Sequence, residues 1–405
     1  MYNKNNINIF LLYNYQYPFN MSYFLLPEIH SNIDNIHFQS KKTDYVYISA
    51  TLNDYLNKVK KQIDDNYEQW DFMKRYTNPF EFIHSIIPNT KYSVSKLKPL
   101  SRSFYKMIEL SHMFHLLDDF SSKPINTFHL AEGPGGFIEA TEHLRKNEAD
   151  NYYGMTLIND DPNVPGWKKT SGFLTCHPNI KIETGATGTG DLLEVTNLSY
   201  CNDKYKNSMD IITADGGFDF SIDFNQQEIL ASNLLFAQVS FAISMQKIGG
   251  HFILKVFDIF TKSTCDILYI LSTLYKQVYI TKPNTSRLAN SEKYIVCKGF
   301  KKYPERLIRK IINIYPTIKL KPLISRFLDF NLDYFYMNKI EEYNAIFGQQ
   351  QIENINATLN LICCKNKTER LENLKKNHIQ KSVQWCERNN IQHNKNSTPI
   401  NIFRN

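Results

Sequence analysis

Four short segments carry residues that could do chemistry, and each stands beside an apolar run. The first is the glycine-rich turn "AEGPGGF" at 131–137, which follows the run "TFHL" and precedes a helical pattern. Glycines let a backbone approach a ligand closely, so the turn predicts a ligand-binding loop at the end of a strand. Its spacing is neither GxGxxG nor GxxxxGK[ST], which disfavours a dinucleotide fold and a P-loop. A structural glycine bend is the alternative.

The other three segments place two acids and a lysine beside apolar runs. Asp215 ends "MDIITAD", Lys255 lies inside "HFILKVF", and Glu292 stands in a polar stretch just before "KYIVCKGF". A lysine among large apolar side chains is unusual. On an edge strand, however, its ammonium group could reach water. The polar stretch around Glu292 could likewise be an ordinary loop.

Alternation of apolar runs and helical stretches between residues 123 and 300 predicts an α/β fold with a doubly wound sheet. The carboxyl ends of parallel strands meet at one edge of such a sheet, so the turn at 133–136, Asp215 and Lys255 should converge there. If the last strand runs antiparallel, its start brings Glu292 to the same edge. Burial favours the neutral amine of a lysine while carboxylates orient it, so Lys255 could act as a base.

Three further segments flank this sheet region. Residues 1–43 are rich in Asn with little periodicity, which predicts a peripheral segment. Residues 44–122 carry apolar residues at three and four spacing, which predicts helices leading into the sheet. Residues 301–405 hold 18 Lys and Arg against 9 Asp and Glu in amphipathic helical patterns. This basic excess suits a polyanion such as RNA, and a merely solvated helical surface is the alternative.

The composition predicts a folded protein of a reducing compartment. A hydrophobic content of 42% lies well outside the disordered class. The chain lacks the apolar run of about 18 residues that a membrane helix needs, and its N-terminal stretch is not built like a signal peptide. Seven cysteines without a CxxC pair predict neither a zinc site nor a disulfide framework.

Taken together, the segments resemble the FtsJ/RrmJ-type S-adenosylmethionine-dependent RNA 2′-O-methyltransferases, particularly their eukaryotic and viral cap-specific mRNA branch. The segments "AEGPGGF", "TADGGF" with "QEIL", "GGHFILKVFDIFT" and "KPNTSRLANSEKYIVCKGF" occur in the family's order and at similar spacing. Upstream, "NPFEFI" and "SRSFYKMIEL" are similar to its helical lead-in. The resemblance covers roughly residues 70–300. It implies a Rossmann-like methyltransferase sheet, mostly parallel with an antiparallel last strand, at 123–300 between helical N- and C-terminal extensions.

By resemblance, the family's Lys-Asp-Lys-Glu tetrad falls on Lys106, Asp215, Lys255 and Glu292. The family implies that Lys255 removes the proton of a ribose 2′-hydroxyl, with Asp215 close to both cofactor and lysine. Lys106 and Glu292 would hold the hydroxyl and tune the base. A second ammonium group beside Lys255 lowers the pKa of both amines. Methyl transfer from a sulfonium depends mainly on alignment, so no metal site is predicted.

The resemblance also implies ligand contacts. Cofactor contacts fall on Glu132, Gly133, Pro134, Gly135, Gly136, Phe137, Asp191 and Asp215. Glu132 stands where the cap branch often has Cys or a small residue, and helix capping is the alternative for Asp191. Substrate contacts fall on Asn225, Ser286 and Arg287. The fork of an arginine suits phosphate, and a surface salt bridge is the alternative for Arg287.

We therefore expect a cap-specific mRNA 2′-O-methyltransferase that uses S-adenosylmethionine and binds the capped 5′ end, with other capping enzymes as candidate partners and no membrane. Its expected location is the cytoplasm, or the nucleus for a cellular cap enzyme. The same reaction on ribosomal or transfer RNA is one alternative, although those enzymes commonly lack long flanks. A catalytically silent RNA-binding capping subunit is another, although all four tetrad residue types are present.

Overall fold

The computed structural model describes residues 23–30, 47–159, 166–217, 226–320, 324–364 and 367–394. The strands within these ranges are β1 Tyr23–Leu25, β2 Asn126–Leu130, β3 Asn151–Met155, β4 Ile180–Ile182, β5 Met209–Ala214, β6 Gln246–Val256, β7 Tyr275–Thr281 and β8 Lys293–Phe300. The helices are α1 Ala50–Lys61, α2 Tyr67–Met73, α3 Ser103–Phe114, α4 Gly136–Arg145, α5 Ser171–Cys176, α6 Val195–Tyr205, α7 Gln227–Met245, α8 Lys262–Leu274, α9 Glu305–Leu320, α10 Tyr334–Cys363 and α11 Thr368–Arg388.

All eight strands form one sheet in the order β1-β7-β8-β6-β5-β2-β3-β4. Strands β6, β5, β2, β3 and β4 are adjacent in this order and parallel to one another. Strand β8 lies between β6 and β7 and is antiparallel to both. The predicted fold class, a mostly parallel sheet with an antiparallel last strand, is confirmed. Because β8 runs the other way, its first residues lie at the edge where β5 and β6 end.

Two short strands are not predicted from the sequence. Strand β1, inside the segment 1–43 that we expected to be peripheral, pairs antiparallel with β7 at the edge of the sheet. Strand β4 pairs with β3 at the opposite edge. Each has three residues, which is too few for an apolar pattern to stand out, so only pairing with a neighbour defines them.

Helix α7 is the apolar centre of one face of the sheet. Although Ser, Asn and Gln interrupt its apolar run, it is, by length and composition and among the described residues, the one helix that could cross a membrane; 78% of its apolar window is buried inside the protein. It packs beside α6, α8 and α9 and against β6. A helix that is apolar on all sides is typical of a buried core position, and here the sheet and the neighbouring helices cover it.

The N-terminal helices and the C-terminal extension share a core. Leu56 of α1, Trp70 of α2 and Ile355 of α10 belong to one buried cluster. On the neighbouring side, Trp385 of α11 packs edge-on against Tyr105 of α3, with ring centroids 5.9 Å apart and an angle of 72° between the rings. The described part of the extension predicted at 301–405 contains the helices α9, α10 and α11 and packs into the fold, and Gln351 of α10 lines the site.

Candidate functional site

A cavity of about 1010 Å³ opens at the sheet edge where β2, β5 and β6 end and β8 begins. This volume is at the upper end of the range for ligand pockets, about 300–1,000 Å³. One wall consists of the segments that follow β2, β3 and β4, including residues 131–134 and 190–193. The opposite wall consists of the N-terminal helices and the β7–β8 connection, and it includes Trp70, Lys74, Arg102 and Arg287.

Asp215 and Lys255 meet at the floor between these walls. Asp215 follows β5 directly, and Lys255 is the penultimate residue of β6. The Lys255 Nζ lies 3.3 Å from Asp215 Oδ1 and donates a hydrogen bond to the Asp215 carbonyl oxygen at 2.5 Å. Strand β6 has a neighbour on each side, so Lys255 is not an edge residue whose ammonium group escapes to water. That alternative is wrong.

Lys106 and Glu292 form a second ion pair next to the first. Lys106, on the first turn of α3, lies with its Nζ 2.7 Å from each carboxylate oxygen of Glu292. Both residues are buried, with exposed fractions of 4% and 9%. The Ser286 hydroxyl donates to Glu292 Oε1 at 2.7 Å. The stretch before β8 is therefore more than an ordinary loop, because it delivers Glu292 to the same cavity as Lys106.

Tyr294 joins the two pairs. Its hydroxyl donates to Asp215 Oδ1 at 2.8 Å, and the Lys106 Nζ lies 5.9 Å from the centre of its ring. In the register of the sheet Tyr294 is opposite Lys255. The four residues predicted as a tetrad therefore lie together around one buried aromatic ring, at the edge where the topology of a doubly wound sheet predicts a ligand site.

Burial and the neighbouring charges shift the pKa values of Glu292 and Lys106. Burial by itself would raise the pKa of Glu292, but the positive charges of Lys106 and Lys255 outweigh it and hold that pKa well below its usual range. Burial lowers the pKa of Lys106, and the negative charges of Glu292 and Asp215 act in the opposite direction. The cluster therefore holds an ionised carboxylate next to amines that are surrounded by charge of both signs.

This arrangement can hold and deprotonate an alcohol. A lysine Nζ has three positions for hydrogen bonds; that of Lys255 donates one to the Asp215 carbonyl oxygen and forms an ion pair with the Asp215 carboxylate. Both Lys255 and Lys106 line the cavity. A hydroxyl group between them would meet one amine that can take its proton and one cation that can stabilise the oxygen that remains.

The turn after β2 divides into a part that lines the cavity and a part that supports it. Glu132, Gly133 and Pro134 are cavity-lining residues. Gly135 is the N-cap residue of α4 with φ +102°, and Gly136 opens the helix. The Phe137 ring is fully buried and stacks on Tyr294 with centroids 6.0 Å apart. Residues 135–137 are buried and support the cavity-lining part of the turn, and their expected cofactor contacts stay predictions.

The carboxylate of Glu132 faces the start of α4. It accepts hydrogen bonds from the backbone N–H groups of Phe137 and Ile138 and from the Thr213 hydroxyl. Its other neighbour is His129, whose Nδ1 lies 3.1 Å from Oε2. A carboxylate at a helix N-terminus satisfies free N–H groups and suits the helix dipole. Glu132 therefore holds the turn in place, which explains an acid at a position where the resembling enzymes often have a small residue.

Gly190 and Asp191 belong to the same cavity wall as residues 131–134. Asp191 Oδ1 accepts a hydrogen bond from the Leu193 N–H at 2.8 Å, while α6 begins only at Val195 with Glu194 as its N-cap. The helix-capping alternative for Asp191 is wrong, because the carboxylate closes a local turn at the cavity. Gly190 has φ +65°, and a Cβ there would lie 2.0 Å from the Thr156 carbonyl oxygen.

We expect Gly190→Ala to weaken binding of S-adenosylhomocysteine at least about tenfold and to cost about 1–3 kcal/mol of stability. The added methyl group must displace the Thr156 backbone, and with it the cavity wall. Gly188→Ala is the matched control, because Gly188 has φ +72° but nothing within 4 Å of the added carbon. Calorimetric titration and thermal unfolding measure both effects. Equal losses of affinity in the two variants would contradict the role of this contact.

The three residues expected to contact the substrate have different positions. Ser286 is buried and bound to Glu292. Arg287 lines the cavity, but its Nε and one terminal nitrogen bind the buried carboxylate of Glu81 at 2.9 and 2.6 Å. That ion pair holds the pKa of Glu81 at about 2 against the effect of burial. The salt-bridge alternative for Arg287 is thus half right, since the bridge exists but is not on the surface. Asn225 lies outside the described residues.

Several residues that shape the site are not predicted from the sequence. Glu81 and Asn78 hold residues 287 and 288, and Glu109 of α3 holds residues 284 and 285. Gln351 of α10 donates to the Ala289 carbonyl oxygen. The one available signal was the acid in "NPFEFI" and in "KMIEL", where apolar neighbours on both sides indicate a buried carboxylate that needs partners.

With the site described, the chain can be compared with known proteins. Residues 99–300 match the family described as FtsJ-like methyltransferase. This stretch contains α3, all strands from β2 to β8, and the four tetrad positions. The chain therefore carries an FtsJ-like methyltransferase domain, and the family resemblance inferred from its motifs is confirmed.

Three curated relatives are similar over a large part of the chain. Cap-specific mRNA (nucleoside-2′-O-)-methyltransferase 2 of Danio rerio is 30% identical over 331 residues, which cover 79% of this chain and 44% of that protein. The protein of the same name from Drosophila melanogaster is 28% identical, covering 64% and 38%. Cap-specific mRNA (nucleoside-2′-O-)-methyltransferase 1 of Mus musculus is 31% identical, covering 63% and 31%. The chain spans less than half the length of each of these relatives.

S-adenosylmethionine is the methyl donor that the family implies, and the residues present fit it. Residues 131–134 line the cavity, with the Glu132 carboxylate bound to the start of α4, and Gly190 allows the Thr156 backbone to pack closely in the cavity wall. Leu157, Leu192 and Leu193 supply an apolar surface for a flat base, and the second oxygen of Asp191 can accept a hydrogen bond from the amino group of that base. When bound, the cofactor supplies a methyl group activated by a positively charged sulfur.

Proposed function

We propose that this protein methylates the ribose 2′-hydroxyl of a nucleotide next to the 5′ cap of mRNA, with S-adenosylmethionine as the donor. The observation that carries the proposal is the meeting of Lys106, Asp215, Lys255 and Glu292 at one cavity. The names of the curated relatives supply the cap specificity. The proposal extends to the whole chain what the methyltransferase domain supports for residues 99–300.

In the proposed reaction, the chain's own groups prepare the hydroxyl. Lys255 accepts the hydroxyl proton, which leaves an oxygen nucleophile, and Asp215 keeps the amine aimed and stabilises its charge afterwards. Lys106 stabilises the negative charge that grows on the oxygen, and Glu292 holds Lys106 through both carboxylate oxygens. These roles need only positions and charges that the cavity already has, so the main contribution to rate is alignment and electrostatic stabilisation.

The opposite wall of the cavity, formed by the N-terminal helices and the β7–β8 connection, favours the proposal of an RNA substrate. It carries Arg102, which is exposed, and Lys74, which forms an ion pair with Asp71. Tyr67 on the same wall is 71% exposed. Cations hold a phosphate backbone and aromatic rings stack with bases, so this wall combines the two kinds of group that bind single-stranded RNA. The fork of Arg287 is already taken by Glu81, so its expected phosphate contact would be limited to its remaining nitrogen.

The test is methyl transfer to two RNAs that differ only at the 5′ end. One bears an N7-methylguanosine cap and the other a 5′-triphosphate, and the methyl group of S-adenosylmethionine is labelled. We expect label only in the capped RNA, and nuclease digestion should locate it on the ribose of a nucleotide next to the cap. A third RNA that already carries the 2′-O-methyl groups at the first two nucleotides should accept none.

Each other outcome identifies an alternative. Equal transfer to capped and uncapped RNA would favour a ribosomal or transfer RNA enzyme. Tight binding of capped RNA without transfer would indicate a silent capping subunit and would overturn the proposal. Association with other capping enzymes, and a cytoplasmic or nuclear location, stay predictions.

A further inference from the structure

Glu109 is a buried carboxylate outside the tetrad that binds the connection between β7 and β8. It is 3% exposed. Its Oε1 accepts from the backbone N–H and the side-chain amide of Asn284 at 2.7 and 2.9 Å. Its Oε2 accepts from the backbone N–H and the hydroxyl of Thr285 at 3.0 and 2.9 Å. Four donors from two successive residues therefore converge on one carboxylate.

The same helix holds the other end of this connection. Glu109 stands three positions after Lys106 on α3, and residues with this spacing lie on the same helix face. Lys106 binds Glu292, and Glu109 binds residues 284 and 285. One face of α3 thus fixes the β7–β8 connection at two points, near its beginning and at its end.

The connection transmits this anchoring to the tetrad. Ser286 directly follows Thr285, and its hydroxyl donates to Glu292 Oε1 at 2.7 Å. At the base of the connection, the Lys282 Nζ donates to the carbonyl oxygens of Asn290 and Glu292 at 2.7 Å each. The loop is therefore closed across its base. A shift of residues 284 and 285 would move Ser286 and change the position of the Glu292 carboxylate against Lys106.

We propose that Glu109 is a positioning residue for methyl transfer, which fixes Asn284 and Thr285 and through them orients Ser286, Glu292 and Lys106. The inference rests on the proposed function. A carboxylate is required because it only accepts hydrogen bonds, and all four groups around it can donate to it. An amide in its place would direct its own N–H groups at a backbone N–H, which leaves buried donors without acceptors.

The test is Glu109→Gln, studied by single-turnover kinetics with the capped RNA described above. We expect the transfer rate to fall at least about tenfold, while the affinity for S-adenosylhomocysteine stays within about twofold, because the altered contacts lie away from the cofactor wall. We also expect the pH profile of the rate to move by about half a unit or more, since the Glu292 carboxylate shifts relative to both lysines.

Two further variants separate positioning from folding. Asp266→Asn is the matched control, because Asp266 is fully buried on α8 and accepts two backbone N–H groups and the Arg326 fork, away from the cavity. It should lower stability and leave the pH profile unchanged. Thr285→Val removes a single hydroxyl donor to Glu109. Valine has nearly the same shape as threonine, so this variant remains available if Glu109→Gln does not fold. It should lower the transfer rate several-fold and move the pH profile, with the affinity for S-adenosylhomocysteine unchanged.

The outcomes distinguish this inference from the proposed function. If the unaltered protein transfers no methyl group to capped RNA, the proposed function fails. If the unaltered protein is active, and the pH profile of Glu109→Gln or Thr285→Val coincides with it, Glu109 does not position the tetrad and this inference alone is overturned.

Discussion

Replacing Lys255 by arginine is expected to slow methyl transfer by about 10²–10⁴-fold without loss of the fold, the range that a general base contributes. Arginine keeps the positive charge and much of the length of lysine, so the ion pair with Asp215 at 3.3 Å can persist. It stays protonated at every accessible pH, however, and cannot accept a proton. Single-turnover kinetics with capped RNA and saturating S-adenosylmethionine measure the effect.

The matched control lies on the same strand. Lys247 stands near the start of β6, with its side chain 45% exposed and paired with Asp210 at 3.3 Å. Lys247→Arg should retain the full rate. If Lys255→Arg keeps a third or more of the rate, lysine does not remove the proton, and its role is limited to charge. Lys255→Met, which loses the charge as well, would then show how much the charge contributes.

The predictable part of this site is the part that strand ends determine. Asp215 and Lys255 were predicted at one edge because each follows or ends a run of apolar residues in a parallel sheet. The register confirms it, with Ala214 beside Leu254. The predicted position of Glu292 required one further assumption, that the last strand is antiparallel. The antiparallel pairing of Lys255 with Tyr294 shows that this assumption is correct. Such positions follow from chain direction and alternation, which are local properties of a sequence.

The unpredicted part depends on contacts between residues that are far apart in the chain. Glu81 binds Arg287 across 206 positions, and Glu109 binds Thr285 across 176. The orientation of the Glu132 carboxylate toward α4 was also missed, because the choice between a ligand and a helix N-terminus depends on the position of the first N–H groups. No apolar pattern records these pairings. They emerge only when helices pack and a buried carboxylate must find donors.

The second large effect concerns stability. Lys106→Met is expected to lower the free energy of unfolding by about 3–5 kcal/mol, because it leaves the Glu292 carboxylate buried without its main partner. The double variant Lys106→Met with Glu292→Gln should recover most of this loss, since a neutral pair of similar volume needs no ionic compensation. Urea unfolding of the unaltered protein, of Lys106→Met, of Glu292→Gln and of the double variant gives the four free energies of a double-mutant cycle.

The pH dependence of this effect has a definite sign. In the unaltered protein the lysines hold the pKa of Glu292 below its usual range, so this carboxylate stabilises the fold at neutral pH and loses that contribution as the pH falls through its folded-state pKa. Without Lys106 that pKa rises, and protonation relieves the buried charge. The stability difference between Lys106→Met and the unaltered protein should therefore shrink as the pH is lowered.

Recovery of stability without recovery of activity would separate the two roles of the pair. A buried ion pair is often replaceable by neutral residues as far as folding is concerned, so its presence here calls for another reason. In the proposed reaction that reason is Lys106, which must be cationic and fixed beside Lys255 to stabilise an oxygen anion. The double variant should therefore fold well and remain inactive. A double variant with near-normal transfer would show that Lys106 and Glu292 serve only the fold.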